Sequence, residues 1–349
     1  MSNTHINKAQ QEAINRLKQK RDKVLNIDEV LSNLKAGNRT TLSQAITLIE
    51  SNNAQQQATG QQILNNCMPL TGNSIRIGIT GVPGVGKSTF IESFGQTLIA
   101  LGKKVAVLAI DPSSQKTGGS ILGDKTRMEK LSSNPNAFIR PSASADSLGG
   151  VAQKTRESIL LCEAAGYDVI LVETVGVGQS ETEVHSMVDF FLLLMLAGAG
   201  DELQGIKRGI MEMADLIAIT KADNDNEHKA KLAIREYKNA LHLFPPAASG
   251  WYPTVLSCSA INNKGIQEIW EVIVKHETHF TLKGLKEKNR KQQAKYWMKT
   301  TIQQMLHNYF KDSEEVKKAY QQKEQLVINQ LLNPFTAAQE LLEIFLKSK

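Results

Sequence analysis

Cysteine is scarce in this chain of 349 residues, which contains only three, Cys67, Cys162 and Cys258. They lie far apart and form no Cys-x-x-Cys pair. A disulfide-stapled fold needs paired cysteines at short spacing, and a structural zinc site needs clustered Cys and His. The composition therefore excludes the first class and gives no support to the second. We expect reduced thiols in a cytoplasmic protein.

Long hydrophobic runs are also missing. The most apolar run, Phe190–Leu196, is much shorter than the roughly 20 residues that a bilayer-spanning helix needs. It is instead typical of a buried parallel strand. The first residues, Met1–Asn7, are polar and lack the apolar core of a secretion signal. We therefore expect no membrane association and a cytoplasmic location.

The charge balance is only mildly basic, with a formal net charge of +6. It suits an anionic ligand such as a nucleotide and does not require nucleic acid. The stretch 283–299 is basic, but residues that would stack on bases are sparse beside it, so we interpret it as a solvated helix face. His185 follows Glu181 and Glu183 on a predicted helix. Because no Cys pair or second His stands near, we interpret it as part of a polar face rather than a metal site.

The most specific pattern in the sequence lies at 75–89. Alternating isoleucines predict a short strand, and the apolar residues that follow predict an amphipathic helix. Between them the chain fits G-x-x-x-x-G-K-[ST], in the strand–loop–helix context that a phosphate-binding loop requires. Lys87 would reach the β- and γ-phosphates, and the Ser88 hydroxyl would bind Mg²⁺. The predicted phosphate-binding residues are Gly81, Val82, Pro83, Gly84, Val85, Gly86, Lys87, Ser88 and Thr89.

Strands and helices are predicted to alternate from residue 75 to about 278. Further strands are predicted at Lys104–Ile110, Asp168–Glu173, Phe190–Leu196, Leu216–Ile219 and Thr254–Ser257, with helices at about 148–165, 203–213, 225–242 and 264–276. This order is typical of an α/β fold with a mostly parallel sheet covered by helices on both faces. In such folds ligands bind beyond the carboxyl ends of the strands. Polar and glycine-rich segments follow the predicted strand ends, in agreement with the phosphate-binding loop.

The two ends of the chain differ from this alternating region. Residues 1–70 and the Lys- and Gln-rich region after 280 carry apolar residues at helical spacing. We predict an N-terminal helical region (1–70), a nucleotide-binding domain (71–280) and a C-terminal helical arm (281–349). The apolar faces of the arm need a partner, either the sheet domain or a second copy of the chain.

Carboxylates follow two of the predicted strands. Glu173 ends an apolar strand, where nucleotide hydrolases place an acidic residue that acts on Mg²⁺ directly or through its water shell. Gly176 is placed to offer its N–H to the γ-phosphate. Asp111 and Asp124 lie in a loop rich in Ser, Thr and Gly, which we expect to be ordered by triphosphate and metal. Spacing alone does not decide which of these two approaches the metal.

The segment Thr220-Lys221-Ala222-Asp223 is similar to the base-reading motif N-K-x-D. Asp223 would accept hydrogen bonds from N1–H and the 2-amino group of guanine, whereas adenine would leave it unpaired, a discrimination on the order of 10⁴. The Lys221 stem would pack on the purine face. Thr220 stands where Asn is usual, which we expect to weaken the link between the base and phosphate loops. Guanine O6 would meet backbone N–H groups of Ser259, Ala260 and Ile261.

Longer segments surround these motifs. They are Gly-Val-Pro-Gly-Val-Gly-Lys-Ser-Thr (81–89), Ile-Asp-Pro-Ser-Ser (110–114), Thr-Gly-Gly-Ser-Ile-Leu-Gly-Asp-Lys-Thr-Arg-Met (117–128), Val-Glu-Thr-Val-Gly-Val-Gly-Gln-Ser-Glu (172–181) and Gly-Ala-Gly-Asp-Glu-Leu-Gln-Gly-Ile-Lys (198–207). Together they resemble the MeaB/ArgK family of GTPases over about residues 70–280. The resemblance implies a P-loop fold of the signal-recognition/MinD/BioD class, with an N-terminal helical part and a C-terminal dimerisation arm.

The resemblance also implies roles for single residues. Asp111, Asp124 and Glu173 would surround Mg²⁺ beside Ser88, and the 201–207 loop would respond to the nucleotide and a partner. Lys207 would stabilise charge at the γ-phosphate or else be a surface charge. The catalytic residues so predicted are Lys87, Asp111, Glu173 and Lys207.

Members of this family attend adenosylcobalamin-dependent acyl-CoA mutases, chiefly methylmalonyl-CoA mutase. The resemblance therefore implies a homodimer that uses a GTP/GDP cycle with Mg²⁺ to gate cofactor loading and reactivation of such a mutase. The chain has no Asp-x-His-x-x-Gly motif, so we do not expect it to hold cobalamin alone. One alternative is an ATPase or kinase linked to arginine or ornithine transport, a label that this family has also carried. Another is a metal-insertion GTPase, which would need a His- or Cys-rich tract that this sequence lacks.

Overall fold

The computed structural model describes residues 26–110, 128–141, 148–174, 180–197, 208–223, 226–245 and 247–348. In chain order the elements are α1 (Ile27–Lys35), α2 (Arg39–Glu50), α3 (Ala54–Cys67), β1 (Ile75–Gly81), α4 (Lys87–Ala100), β2 (Val105–Ile110), α5 (Glu129–Ser133), β3 (Ala137–Arg140), α6 (Leu148–Ala164), β4 (Val169–Thr174), α7 (Ser180–His185), β5 (Phe190–Leu196), α8 (Arg208–Met213), β6 (Leu216–Thr220), α9 (Glu227–Leu241), β7 (Thr254–Ser257), α10 (Ile266–Leu282), α11 (Leu285–Asp312), α12 (Glu314–Ile328) and α13 (Pro334–Lys347).

The strands form one sheet in the order β3-β2-β4-β1-β5-β6-β7, and every pair is parallel. Nearly every strand residue is buried, as expected for a sheet covered on both faces. β1 lies in the middle, because the chain first builds one half of the sheet and then crosses over to build the other. This crossing opens a crevice at the carboxyl ends of β1 and its neighbours, where ligands of such sheets bind. The predicted α/β fold is confirmed.

The predicted strands β2, β4, β5, β6 and β7 agree with the structure to within one residue at each end. The edge strand Ala137–Arg140 was not predicted, whereas Thr254–Ser257 at the opposite edge, which is equally short, was predicted. Helix α10 continues to Leu282, well beyond its predicted end at 276, since Phe280 is still buried. Within the described ranges, no helix is both long enough and apolar enough to cross a bilayer.

Contacts divide the chain into two compact units. The first comprises residues up to Ser74 together with Glu157–Asp168. Its helices α1, α2 and α3 bury aliphatic side chains such as Leu34, Ile46 and Ile63.

The second unit comprises Ile75–Arg156 and Val169–Lys349, and therefore includes the sheet and α11–α13. One of its cores lies between the sheet and helices α4 and α10. Phe90 and Phe94 of α4 stack with ring centroids 5.4 Å apart, and Trp270 of α10 packs against Phe94. This core fixes α4, and with it the loop at the start of that helix.

Candidate nucleotide site

The predicted phosphate-binding loop joins β1 to α4. β1 ends at Gly81, and α4 begins at Lys87 with Gly86 immediately before it. Gly86 has a φ of 95°, a left-handed conformation that glycine adopts without steric cost. Among the described residues, no side chain caps this helix. The N–H groups of its first turn are therefore available to an anion at the positive end of the helix dipole.

Lys87 is folded over this loop. Its Nζ donates to the carbonyl oxygen of Gly81 at 2.8 Å and lies 3.4 Å from that of Val82. Burial lowers the pKa of Lys87, while the negative charges of Glu173 and Glu181 act in the opposite direction. The ammonium group thus lies at the edge of the cradle, where a phosphate oxygen would accept charge-assisted hydrogen bonds from it.

Ser88 and Glu173 meet beside the loop. Ser88 Oγ donates to Glu173 Oε1 at 3.4 Å, and the Glu173 side chain is buried at the end of β4. The next residue, Thr174, donates to Thr80 Oγ1 at 2.9 Å and so ties the ends of β4 and β1 together. A hydroxyl and a carboxylate side by side fit Mg²⁺, which prefers oxygen ligands and keeps several waters. Over the described part of the chain, no three or more His, Cys, Asp or Glu side chains are grouped to hold a metal ion.

Four predicted site residues, Asp111, Asp124, Gly176 and Lys207, lie outside the described ranges. Their roles remain predictions. The strands that precede Asp111 and Gly176 are neighbours, since Ile110 at the end of β2 pairs with Thr174 at the end of β4. The chain therefore leaves both strands at the same edge of the sheet as the phosphate-binding loop.

Two hydrogen bonds join the predicted base-reading segment to the phosphate-binding loop. Thr220 Oγ1 donates to the carbonyl oxygen of Val85 at 2.7 Å, and the Met195 carbonyl lies 3.2 Å from the same hydroxyl. Lys221 Nζ donates to the carbonyl oxygen of Gly84 at 2.8 Å. The sequence led us to expect a weaker link with Thr220 in place of Asn. In the structure the Thr220 hydroxyl itself makes this link, because Thr220 at the end of β6 lies within hydrogen-bond distance of the Val85 carbonyl oxygen.

We expect Thr220→Val to loosen both loops. The substitution keeps the volume but removes the donor to the carbonyl of the buried residue Val85, which should cost about 1–3 kcal/mol of the free energy of unfolding. GTP binding should weaken as well, since the loop that holds the phosphates loses a support. Thr220→Ser keeps the hydroxyl and should resemble the wild type. Urea unfolding and GTP titration measure the two effects, and equal behaviour of the Val and Ser variants would contradict this role.

Asp223 faces the loop that follows β7. Ser259 Oγ donates to Asp223 Oδ2 at 2.6 Å, and the Ser259 side chain is fully buried. The Ala222 N–H donates to the Cys258 carbonyl at 3.0 Å, which holds the two loops together through their backbones. Oδ1 and the remaining lone pairs of Oδ2 can accept the two N–H groups of a guanine edge. The next residues, Ala260 and Ile261, are more exposed, and Ile261 is 80% exposed.

Glu181 was not among the predicted site residues. We interpreted Glu181, Glu183 and His185 as one polar helix face. In the structure His185 is exposed, but Glu181 is only 3% exposed, and its charge acts on Lys87. Its position in the first turn of a helix, seven residues after the end of a buried strand, was the available signal. A buried carboxylate whose charge acts on Lys87 is a further candidate for the nucleotide site.

Comparison with known proteins finds a family and relatives that are described as GTPases. A family model described as "Methylmalonyl Co-A mutase-associated GTPase MeaB" matches residues 42–315. GTPase ArgK of Escherichia coli is 50% identical over 315 residues, which cover 90% of this chain and 95% of the relative. A mitochondrial methylmalonic aciduria type A homolog of Mus musculus is 43% identical over 332 residues, covering 91% of this chain and 79% of the relative.

One solved structure is also similar over nearly its whole length. It is described as "Crystal structure of LAO/AO transport system kinase" and is 43% identical, with a TM-score of 0.73. The similarity covers 92% of this chain and 98% of that one. The fold described above is therefore shared with a protein of similar sequence.

Proposed function

This chain belongs to the MeaB family and is a P-loop GTPase, and from these two facts we propose that it couples a Mg²⁺-dependent GTP cycle to an adenosylcobalamin-dependent acyl-CoA mutase of the methylmalonyl-CoA mutase type. It would act as a chaperone that gates cofactor loading and reactivation. One observation carries the choice of nucleotide: Asp223, held by Ser259, lies on a loop that is hydrogen-bonded to the phosphate-binding loop. The family description and the name of the mouse relative support the choice of partner.

Different residues of the chain would bind different parts of GTP. Backbone N–H groups of 81–89 and the Lys87 ammonium would hold the β- and γ-phosphates, and Asp223 would orient the base. Mg²⁺, held beside Ser88 and Glu173 with Asp111 or Asp124, would supply charge that stabilises the transferred phosphoryl group. We propose Gly176 and Lys207 as further contacts of the γ-phosphate. The sequence motifs include no free arginine finger. We therefore expect slow intrinsic turnover of GTP that a partner accelerates.

We further propose that the C-terminal helical arm, residues 281–349, pairs with a second copy of the chain. Helix α11 has no fully buried side chain, although it carries large apolar residues. Exposed apolar surface of this extent is typical of an interface rather than of a monomer surface. The most exposed apolar side chains of the arm are Leu282, Met298, Leu306, Ile328, Leu331, Phe335 and Leu346. The division into regions 1–70, 71–280 and 281–349 and the cytoplasmic location stay predictions.

The experiment measures GTP and ATP hydrolysis by the purified chain, with and without a methylmalonyl-CoA mutase, together with its mass by light scattering. We expect hydrolysis of GTP but not ATP, faster GTP turnover when the mutase is present, and the mass of two chains. Hydrolysis of ATP at a similar rate would contradict the choice of nucleotide. Turnover that is insensitive to the mutase would contradict the choice of partner.

The alternative is a kinase linked to basic amino-acid transport, which the description of the similar structure favours. It predicts that radioactive γ-phosphate appears on a protein acceptor. Our proposal predicts that all of it is released as inorganic phosphate. The same incubation therefore distinguishes the two functions.

A further inference from the structure

Helix α11 of the C-terminal arm holds the segment that joins α7 to β5. Trp297 Nε1 donates to the Ser186 carbonyl oxygen at 3.1 Å, and Gln293 Nε2 donates to that of Val188 at 2.7 Å. Arg290 binds the buried Asp189 with two hydrogen bonds, of 2.9 and 2.6 Å. Three successive turns of one helix thus bind three of the four residues of the connecting segment, 186–189.

Asp189 also ties this segment to the central strand. Its Oδ2 accepts the Arg76 N–H at 2.9 Å, and its own N–H donates to the Arg76 carbonyl at 2.8 Å. Burial raises the pKa of Asp189, but the hydrogen bonds and charge of Arg290, with a contribution from Arg76, outweigh it and hold the pKa below its usual value. Asp189 is therefore a fixed anion between β1 and α11.

A second group of contacts holds α7 itself. Arg156 of α6 donates to Glu183 Oε2 at 2.5 Å and to Thr300 Oγ1 of α11 at 2.9 Å. Its guanidinium lies 5.4 Å from the ring centroid of Tyr296, which also reaches Glu183. Arg156 is only 5% exposed, so this ion pair is poorly screened by solvent. Glu183 is thereby fixed from both α6 and α11.

The opposite side of α7 packs against β1, the strand that leads into the phosphate-binding loop. Val184 packs so closely on Gly78 of β1 that a Cβ at position 78 would lie 2.7 Å from its Cγ1. Glu181, one turn before, is buried and contributes its charge to the environment of Lys87. α7 has only six residues, which is less than two helical turns. A displacement of one of its ends therefore also displaces the other end.

We propose that Glu183 and Trp297 are positioning residues for GTP hydrolysis, through which α11 holds α7 and keeps Glu181 in register with the phosphate-binding loop. The C-terminal arm would then set the rate at which bound GTP is hydrolysed, in addition to any role in pairing two chains. This inference rests on the GTPase activity but not on the mutase partner. Through α7, the arm would thus be connected mechanically to the nucleotide site.

The test uses the full chain without mutase. Glu183→Gln removes the charge that Arg156 binds. Trp297→Phe removes the donor to Ser186 and reduces the ring that lies 5.6 Å from the Arg76 guanidinium and 6.0 Å from that of Arg156. We expect each to lower the single-turnover rate of GTP hydrolysis by about fivefold or more while the Kd for GTP changes less than about twofold, the pattern of a transition-state effect. Since both act on α7, the double variant should lose less than the product of the two effects.

Glu287→Gln provides the matched control. Glu287 lies on the same helix, but its carboxylate pairs with Lys291 at 2.6 Å on the solvent side. This variant should hydrolyse GTP at the wild-type rate. A lower melting temperature with an unchanged turnover rate in both Glu183→Gln and Trp297→Phe would show that the contacts are only structural and would overturn the proposal. If Glu183→Gln does not fold, the milder Trp297→Phe decides alone. A failure of mutase stimulation would leave this result unaffected.

Discussion

Lys87→Ala is expected to abolish measurable binding of GTP while the protein stays folded. The Lys87 ammonium already lies over the loop, 2.8 Å from the Gly81 carbonyl. It would bind two phosphates, and charge-assisted hydrogen bonds are worth roughly 1.5–3 kcal/mol each. The affinity should therefore fall by at least about a hundredfold. Isothermal titration with GTP and Mg²⁺ measures the loss.

A matched control separates this effect from a general change of charge. Lys291→Ala removes a lysine that is 72% exposed and pairs with Glu287 on the solvent side of α11, so the affinity for GTP should not change. Circular dichroism and thermal unfolding should show that Lys87→Ala retains the fold. Unchanged GTP binding by a folded Lys87→Ala protein would refute the assignment of the phosphate-binding loop.

The second large effect is expected from Asp223→Asn, which should replace the preference for guanine by a preference for xanthine. The substituted amide offers a donor where the carboxylate offered an acceptor, and xanthine carries an acceptor where guanine carries its 2-amino group. Ser259 Oγ, now 2.6 Å from Oδ2, can still donate to the amide oxygen, so the loop should keep its shape. Sites of this kind discriminate by about 10⁴.

Competition between GTP and XTP measures the change in preference. Asp312→Asn, at the exposed end of α11, makes the same chemical change away from the site and should leave the preference for GTP intact. If Asp223→Asn also retains that preference, the base is recognised elsewhere.

The sheet was predictable because its strands are buried on both faces and so appear as uninterrupted apolar runs. Phe190–Leu196 is the clearest case, and its predicted and observed bounds are identical. The edge strand Ala137–Arg140 was not predicted, whereas Thr254–Ser257, which is equally short and forms the opposite edge, was predicted with its observed bounds. Edge position and strand length therefore do not by themselves explain the omission.

Tertiary contacts explain what the sequence did not show about the site. Glu181 follows the polar pattern of a surface helix, and its burial depends on how α7 packs against β1. The hydrogen bond from Thr220 to the phosphate-binding loop depends on how close β6 lies to that loop. No sequence motif contains this distance. Motif spacing predicted where the nucleotide site lies, whereas the partners of its side chains required the assembled fold.

The hydrogen bonds from Thr220 and Lys221 to the carbonyls of Val85 and Gly84 have a consequence for selectivity. Two segments separated by more than a hundred positions along the chain are thereby held together. If Asp223 reads the base, as we propose, a purine that fits poorly there should disturb the same carbonyls that shape the proposed phosphate cradle. We therefore expect affinity for the base and affinity for the phosphates to rise and fall together, so that an ill-fitting nucleotide loses contacts at both of its ends.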